Sequence, residues 1–572
     1  MTNPISRLLF LAMIPLILQS SCREAEKEMA RSRSFNADWR FTRDSIAGAE
    51  QPGFNDSGWR TVDLPHDWSI EDLPHQEAGK TIGPFSKESP GAASTGHTIG
   101  GTGWYRKTFT LGKNETGKRI SLYFEGVYME SDLWINGQHA GYHPYGYTSF
   151  AYDITKYCKP AGEPNIIAMR VRNTGKNSRW YSGSGIYRNV WLTVTDPLHI
   201  AQWGVRITPE AGEGSAAVNI QTSVANEGSE KEDVMVRMRI LDKRGRTVAD
   251  DEKGQTAGAG DTAVVSHTLK FSNPLLWSPD SPYLYRAEIS LVSGGIVKDR
   301  LTVPFGIRTI RFSAEKGMLL NGQSIKLKGG CVHQDNGPLG AAAIDRAEER
   351  RIELLKANGF NAIRCSHNPP SEKLLEACDR LGMMVIDECF DQWEKQKNPD
   401  DYHRFFDEYW EKDFSSMILR DRNHPSVILW SLGNEIPERA DSSGLAIAKK
   451  LKAKAAELDP SRQVTEAICD FWDNPGRTWK DADPAFALLD VGGYNYMWRQ
   501  YEPDHQRYPN RIMVGTESVP QEAFQNWALV EKHPYIIGDF VWTAMDYLGE
   551  SGIGHTSCDT ASQFQLEPWP WF

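Results

Sequence analysis

Two all-β sandwiches followed by a (β/α)8 barrel are what this 572-residue sequence predicts, on three observations. Short runs that alternate apolar and polar residues fill the chain up to about Asp196. A second β-patterned segment of about a hundred residues follows, with turn residues every 8–12 positions, roughly the spacing of an immunoglobulin-like sandwich. Beyond Phe305 strands and helices alternate at roughly 31 residues per unit, which is the repeat of a βα barrel. A chain of this length is expected to hold about three or four domains, in keeping with that division.

The N-terminal residues 1–22 stand apart. "SRLLFLAMIPLILQSSC" has one Arg, an apolar run of about a dozen residues and then small residues before Cys22. It is too short to span a bilayer comfortably and reads as a secretory signal. The small residues ahead of Cys22 resemble a bacterial lipoprotein cleavage site, although Gln19 stands where an aliphatic residue is usual. Export to the periplasm or the outer membrane is expected, with membrane attachment only through a lipid on Cys22. A plain signal peptide with an incidental Cys is the alternative.

Residues 34–197 form the first predicted sandwich. "GWYRKTFTL" and "NIIAMRVRN" alternate in strand fashion, and "INGQ" puts Asn-Gly between two strands, a strong hairpin signal. Residues 198–305 form the second, through "SAAVNIQTSVANEG", "DVMVRMRILDKRGR" and "LYRAEISLVS". Residues 306–572 form the barrel, its strands read at "SIKLKGG", "NAIRCS", "MMVIDE", "VILWSLGNE", "QVTEAI", "LDVGGYNY", "RIMVGTE" and "IIGDFVWTAMDY". A doubly wound sheet is the alternative; polar residues recurring at nearly every strand end favour the barrel. After the eighth strand the chain stops at "EPWPWF", so the last barrel helix is expected to be missing and the flanks of strands 8 and 1 to expose an apolar strip.

Composition narrows the function. A net charge of −11 with no basic run argues against nucleic acid as a partner. Cysteines other than Cys22 are scattered without a CxxC, so neither a disulfide framework nor a zinc site is expected. Aromatics at 11% suit well-packed β cores and, in part, stacking on sugar faces.

In a (β/α)8 barrel the C-terminal strand ends build the active site. Here they carry His333 and Asp335, Arg364 and His367, Asp387 and Glu388, Asn434 and Glu435, Tyr494 to Tyr496, Glu517, and Trp542 with Asp546. Glu435 and Glu517, on strands 4 and 7 across one mouth, suit glycoside hydrolysis, in which one carboxyl protonates the leaving oxygen while the other attacks the anomeric carbon. Asn434 suits the sugar 2-hydroxyl, Tyr496 a hydrogen bond that keeps Glu517 ionised, and Arg364 its electrostatic support. Arg364 as a structural partner of Glu388, Trp542 as core and His367 as a turn residue are the plainer readings. A metal site from His333, Asp335 and His367 has a spacing that matches no compact ligand motif.

"LKGGCVHQDNGPLG", "ANGFNAIRCSHNPPSEKLLEACDRLGMMVIDE", "RDRNHPSVILWSLGNE" and "GDFVWTAMDYLGE" closely resemble glycoside hydrolase family 2, in particular its bacterial β-galactosidases. "LPHDW", "GWYRKTF" and "SRWYSGSGIYRNVWL" are similar to that family's jelly-roll-like sugar-binding sandwich, so the likeness runs over about residues 35–572. It implies that Glu435 is the acid/base and Glu517 the nucleophile of a retaining exo-β-glycosidase acting on a β-linked glycan. Asn434, Arg364, His333, His367, Tyr496 and Trp542 would line the sugar subsite. One departure concerns metal: where one β-galactosidase type of the family binds magnesium through a Glu-x-His pair shortly after strand 3, this chain has Gln392 and Glu394. No cofactor is therefore expected, neither magnesium nor sodium being supported. Within the family β-galactosidase is favoured, since the Asn-x-Lys motif of glucuronidases is absent from the sequence. β-Mannosidase and a truncated, non-catalytic sugar-binding protein are the other readings.

Overall fold

The computed structural model describes residues 31–73, 81–86, 88–545, 548 and 556–557. The expected signal segment with Cys22, the rim residue Asp546 and the stretch where a last barrel helix would follow lie outside them.

The first sandwich packs a four-stranded sheet on a six-stranded one. Their inner faces meet in a core that includes Trp39, Phe41, Tyr105, Leu122, Phe124, Ile167 and Met169. The Asn-Gly signal holds: Ile135 pairs with Gln138, and Asn136 and Gly137 take φ of 52° and 81°, the mirror-image turn that suits strand twist. From its strand Pro164–Asn173 the chain leaves the sheet, crosses to the barrel through residues 174–189, and returns at Val190–Thr195. That excursion matters below.

The second sandwich has three strands on four, with Val218, Ile220, Val236, Ile240 and Ile289 between them. A small three-stranded sheet, Ile310–Ser313, Gly317–Leu320 and Gln323–Ile325, then leads into the barrel. Ile325 thus belongs to this sheet and not to the first barrel strand, which starts two residues later. Met318 and Leu320 pack beside Leu327 in one apolar cluster, so the expected strand is really two.

Eight parallel strands close the barrel. They are β1 (Leu327–Val332), β2 (Ala362–Cys365), β3 (Met384–Glu388), β4 (Val427–Asn434), β5 (Gln463–Ile468), β6 (Gly492–Asn495), β7 (Met513–Ser518) and β8 (Ile536–Met545). Outside them run α1 (Asp345–Ala357), α2 (Glu372–Leu381), α3 (His403–Asp421), α4 (Ser442–Leu458), α5 (Asp483–Phe486), α6 (Tyr501–Arg507) and α7 (Ala523–Lys532). Helices α5 and α6 are short and carry Pro484 and Pro503, which is why helical period is faint there. Between α7 and α1, beside β8 and β1, lies a groove of about 300 Å³ lined by Gly329, Phe360, Trp527 and Val541 with Lys328 and Asp539. Cys331, Cys365, Cys378, Cys389 and Cys469 are buried free thiols.

Closure of the barrel depends on the glycine pair in "LKGGCV". A Cβ on Gly330 would sit 2.1 Å from the Ala544 methyl, and one on Gly329 2.3 Å from the Phe540 ring. Strands β1 and β8 approach too closely for any side chain there. Gly330→Ala is therefore expected to lower stability by about 1–3 kcal/mol through overpacking. Thermal melting checks it; an unchanged midpoint would mean that β8 shifts without penalty.

Candidate active site

The end of β4 explains how "GNE" projects two polar groups. Glu435 follows the strand with φ 44°, and Tyr496 follows β6 with φ 61°; these are the two positive-φ residues other than glycine in the described barrel strands and loops. Each costs on the order of 1 kcal/mol or more, and each is held by a backbone bond: Glu435 N–H to the Ala467 carbonyl at 2.8 Å and Tyr496 N–H to the Glu517 carbonyl at 2.8 Å. The reversal turns the residue after the strand toward the mouth.

Arg364, on β2 and fully buried, sits at the centre. Its Nη1 donates to Glu517 Oε1 at 2.8 Å and to the Thr516 carbonyl at 3.1 Å. Its Nη2 donates to Asn434 Oδ1 at 2.9 Å, and Nε and Nη2 form a fork on Glu388 at 3.0 and 2.8 Å. Both sequence readings of Arg364, partner of Glu388 and support of Glu517, are therefore true together. Burial works against a charge on Arg364, yet Glu388 and Glu517 hold its pKa well above the ordinary range. Glu388 stays below its ordinary value because Arg364, His367 and Ser431 outweigh burial.

His367 is neutral: burial pushes it down to about 3 against the pull of Glu388. Its Nδ1 lies 2.8 Å from Glu388 Oε1, so the ring donates there, a tautomer inferred from its partners, and Nε2 is the acceptor on the Glu517 side at 3.8 Å. Trp542 stacks on His367 at 5.1 Å and 7°, and meets His333 edge-on at 5.2 Å. Trp180, from the first sandwich, stacks on the other ring, His333, at 5.1 Å and 15°. His333 is fixed by a 2.8 Å bond from Nδ1 to the Ser366 carbonyl. Two Trp and two His thus form one wall.

The second carboxyl, Glu435, accepts from Asn495 Nδ2 at 3.1 Å; the same amide reaches Asn434 Oδ1 at 3.1 Å, and Thr516 Oγ1 donates to Asn495 Oδ1 at 2.6 Å. Burial, and further the charge of Glu435, push Glu517 up to about 7, while Arg364 and the Tyr496 hydroxyl pull it down.

All eight sequence-predicted residues therefore meet at one mouth, while three other rim residues do not join them. Tyr494 points out of the barrel to Asp504 at 2.9 Å, and Asp387 is buried on the outer side near Asp421. Asp335 turns to backbone, accepting from the Leu548 N–H at 2.9 Å. Among the described residues no three His, Cys, Asp or Glu side chains are grouped to hold a metal. Sequence reasoning missed Arg179, Trp180, Asp391 and Lys397. Of these, Arg179 and Trp180 lay inside a quoted motif, but their reach across the domain boundary is a tertiary fact.

Comparison with known proteins adds the lineage. Three family models match end to end: the family 2 sugar binding domain over residues 32–197, glycosyl hydrolases family 2 over 198–308, and the family 2 TIM barrel domain over 312–555. A β-galactosidase of Bacteroides ovatus is 39% identical, over 93% of this chain and 69% of its own length. The chain belongs to glycosyl hydrolase family 2. A putative β-glucuronidase of Formosa agariphila is 33% identical, but the chain spans only 52% of its length. The crystal structure of a family 2 member from Bacteroides cellulosilyticus superposes with a TM-score of 0.87 at 47% identity, covering 92% of this chain and 66% of that one.

Glu388→Gln tests the centre of this family 2 site. It leaves a buried guanidinium short of an anion, so stability should fall by about 3–5 kcal/mol. Because the folded Glu388 pKa is depressed, its contribution is full above about pH 4.3, the unfolded value, and fades as pH falls through the folded value. Chemical denaturation at several pH values should show parent and variant converging in acid; a gap that persists there would refute the pairing.

Proposed function

We propose that the protein is a retaining exo-β-glycosidase that releases terminal β-D-galactosyl units from oligo- or polysaccharides. The observation that carries this reading is the placement of Glu435 and Glu517 at the ends of β4 and β7 on one mouth, Glu517 receiving the guanidinium of Arg364 and the hydroxyl of Tyr496 and Glu435 the amide of Asn495. Those donors favour an anion at Glu517, the attacking group, so the catalytic proton is left to Glu435 as acid/base. Glu517 attacks the anomeric carbon as Glu435 hands that proton to the departing oxygen. The glycosyl–Glu517 ester is then hydrolysed by a water that Glu435 deprotonates. Asn434 meets the 2-hydroxyl, His333 and His367 take other ring hydroxyls, and Trp542 offers a flat face to the apolar side of the ring. Export as a lipoprotein anchored at Cys22 fits a polymeric substrate met outside the cytoplasm.

Charge supports a neutral sugar. Among the described residues the cations around the mouth are paired with acids of the chain: Arg364 with Glu388 and Glu517, Arg179 and Lys397 with Asp391, and Arg439 with Asp473. A glucuronide carboxylate would have to compete for one of them. A panel of aryl β-glycosides decides the sugar, with the galactoside expected first and a faster glucuronide or mannoside overturning the choice.

Two further outcomes are expected. Glu517→Gln removes nearly all turnover, whereas Glu435→Ala keeps activity on substrates with good leaving groups, which barely need a proton. Equal loss of activated and unactivated substrates in the Glu435 variant would reverse the roles. The first-formed sugar, followed by proton NMR, is the β anomer. The pH profile follows from the nucleophile. In the parent, kcat/KM on an activated glycoside falls as pH drops through about 7, where the buried Glu517 takes up a proton and can no longer attack. Glu435→Gln removes one of the groups that raise Glu517, so this acid limb moves to lower pH, while burial, the larger cause, remains. An acid limb that does not move in this variant would belong to another group.

A further inference from the structure

The Asn434 side chain is fixed from two domains. Its Oδ1 accepts from Arg364 at 2.9 Å and from Asn495 at 3.1 Å, and its Nδ2 donates to Asp391 Oδ1 at 2.9 Å. That uses one of two amide hydrogens and leaves the plane of the amide no freedom to rotate. Asp391 is itself gripped. Arg179 places Nε on Oδ2 and Nη2 on Oδ1, both at 2.8 Å, in a two-pronged pair, and Lys397 Nζ lies 2.8 Å from Oδ1. Lys397 also donates to the Asn434 carbonyl at 2.9 Å. Asp391 is 4% exposed, and although burial opposes it, Arg179 and Lys397 hold its carboxyl well below the ordinary range. Arg179 belongs to the first sandwich, on the 174–189 excursion, whose neighbour Ser178 gives its carbonyl to Asn398 Nδ2 at 2.7 Å.

We infer that Arg179 of the first sandwich is a positioning residue for catalysis, acting through Asp391 to aim the free N–H of Asn434 at the sugar 2-hydroxyl. The inference rests on the glycosidase reading above and assigns part of its transition-state stabilisation to a domain that holds neither carboxyl. The 2-hydroxyl contact strengthens as the ring flattens, so an amide tilted slightly away loses most where that contact counts most. A residue that merely braced the domain interface would slow every substrate alike.

The test compares an aryl β-galactoside with its 2-deoxy analogue in the purified full chain, for the parent, Arg179→Ala, Arg179→Lys and Asp391→Asn. Ratios between variants cancel the intrinsic reactivity of the two sugars. Arg179→Ala should cut kcat/KM on the hydroxylated substrate by up to about 100-fold, mostly in kcat, and leave the 2-deoxy substrate within about threefold of the parent. Arg179→Lys restores part of the loss, because it keeps the charge without the fork. Asp391→Asn, which sits inside the barrel, should reproduce the selective loss and answers the question if Arg179→Ala does not fold. Equal loss on both substrates, or no loss in a variant that melts like the parent, overturns the inference while the glycosidase reading stands. A folded parent that cleaves neither substrate sinks that reading and this inference with it.

Discussion

The buried guanidinium of Arg364 is the interaction on which the barrel mouth depends. It joins β2 to β3 through Glu388, to β4 through Asn434 and to β7 through Glu517 and the Thr516 carbonyl. Such a charge is tolerable in a dry interior only when its partners are close, ionised and well oriented. Two carboxylates satisfy it, and it in turn keeps Glu388 ionised and opposes the burial that raises Glu517. Structure and reactivity are therefore two readings of one ion cluster. A substitution chosen to alter one will disturb the other.

Much of the site was legible because a (β/α)8 barrel converts position in sequence into position in space. Strand ends lie on one rim, so His333, Arg364, His367, Asn434, Glu435, Tyr496, Glu517 and Trp542 could be gathered without coordinates. The rule is coarse by one residue. Tyr494 and Asp387 belong to the same strand ends, but side chains alternate across a strand, and both face outward. Counting parity back from Asn495 and Glu388 separates them. The boundary error at β1 has a similar origin: Ile325 and Leu327 share one apolar pattern, and only the small sheet beneath the barrel divides them.

What stayed hidden was contributed across a domain boundary. Nothing local to "NSRWYSG" says that Trp180 will lie on His333, or that Arg179 will reach an Asp more than 200 positions away. These contacts depend on how two separately cored units dock, and docking leaves no periodicity in the chain. The sandwiches themselves were plain, since alternation and the Asn-Gly turn are local signals. Their orientation on the barrel was not.

The Trp180–His333 stack has a consequence for how such proteins can diverge. A catalytic barrel with a self-contained mouth can be recombined freely with different appendages, each swap altering targeting and leaving chemistry alone. Here one wall of the mouth is a ring lent by the neighbouring unit. Recombination at the boundary near residue 197 would exchange that ring along with everything around it. The two units are therefore bound to change together, and a new sugar preference can begin with a substitution in the domain that contains neither glutamate.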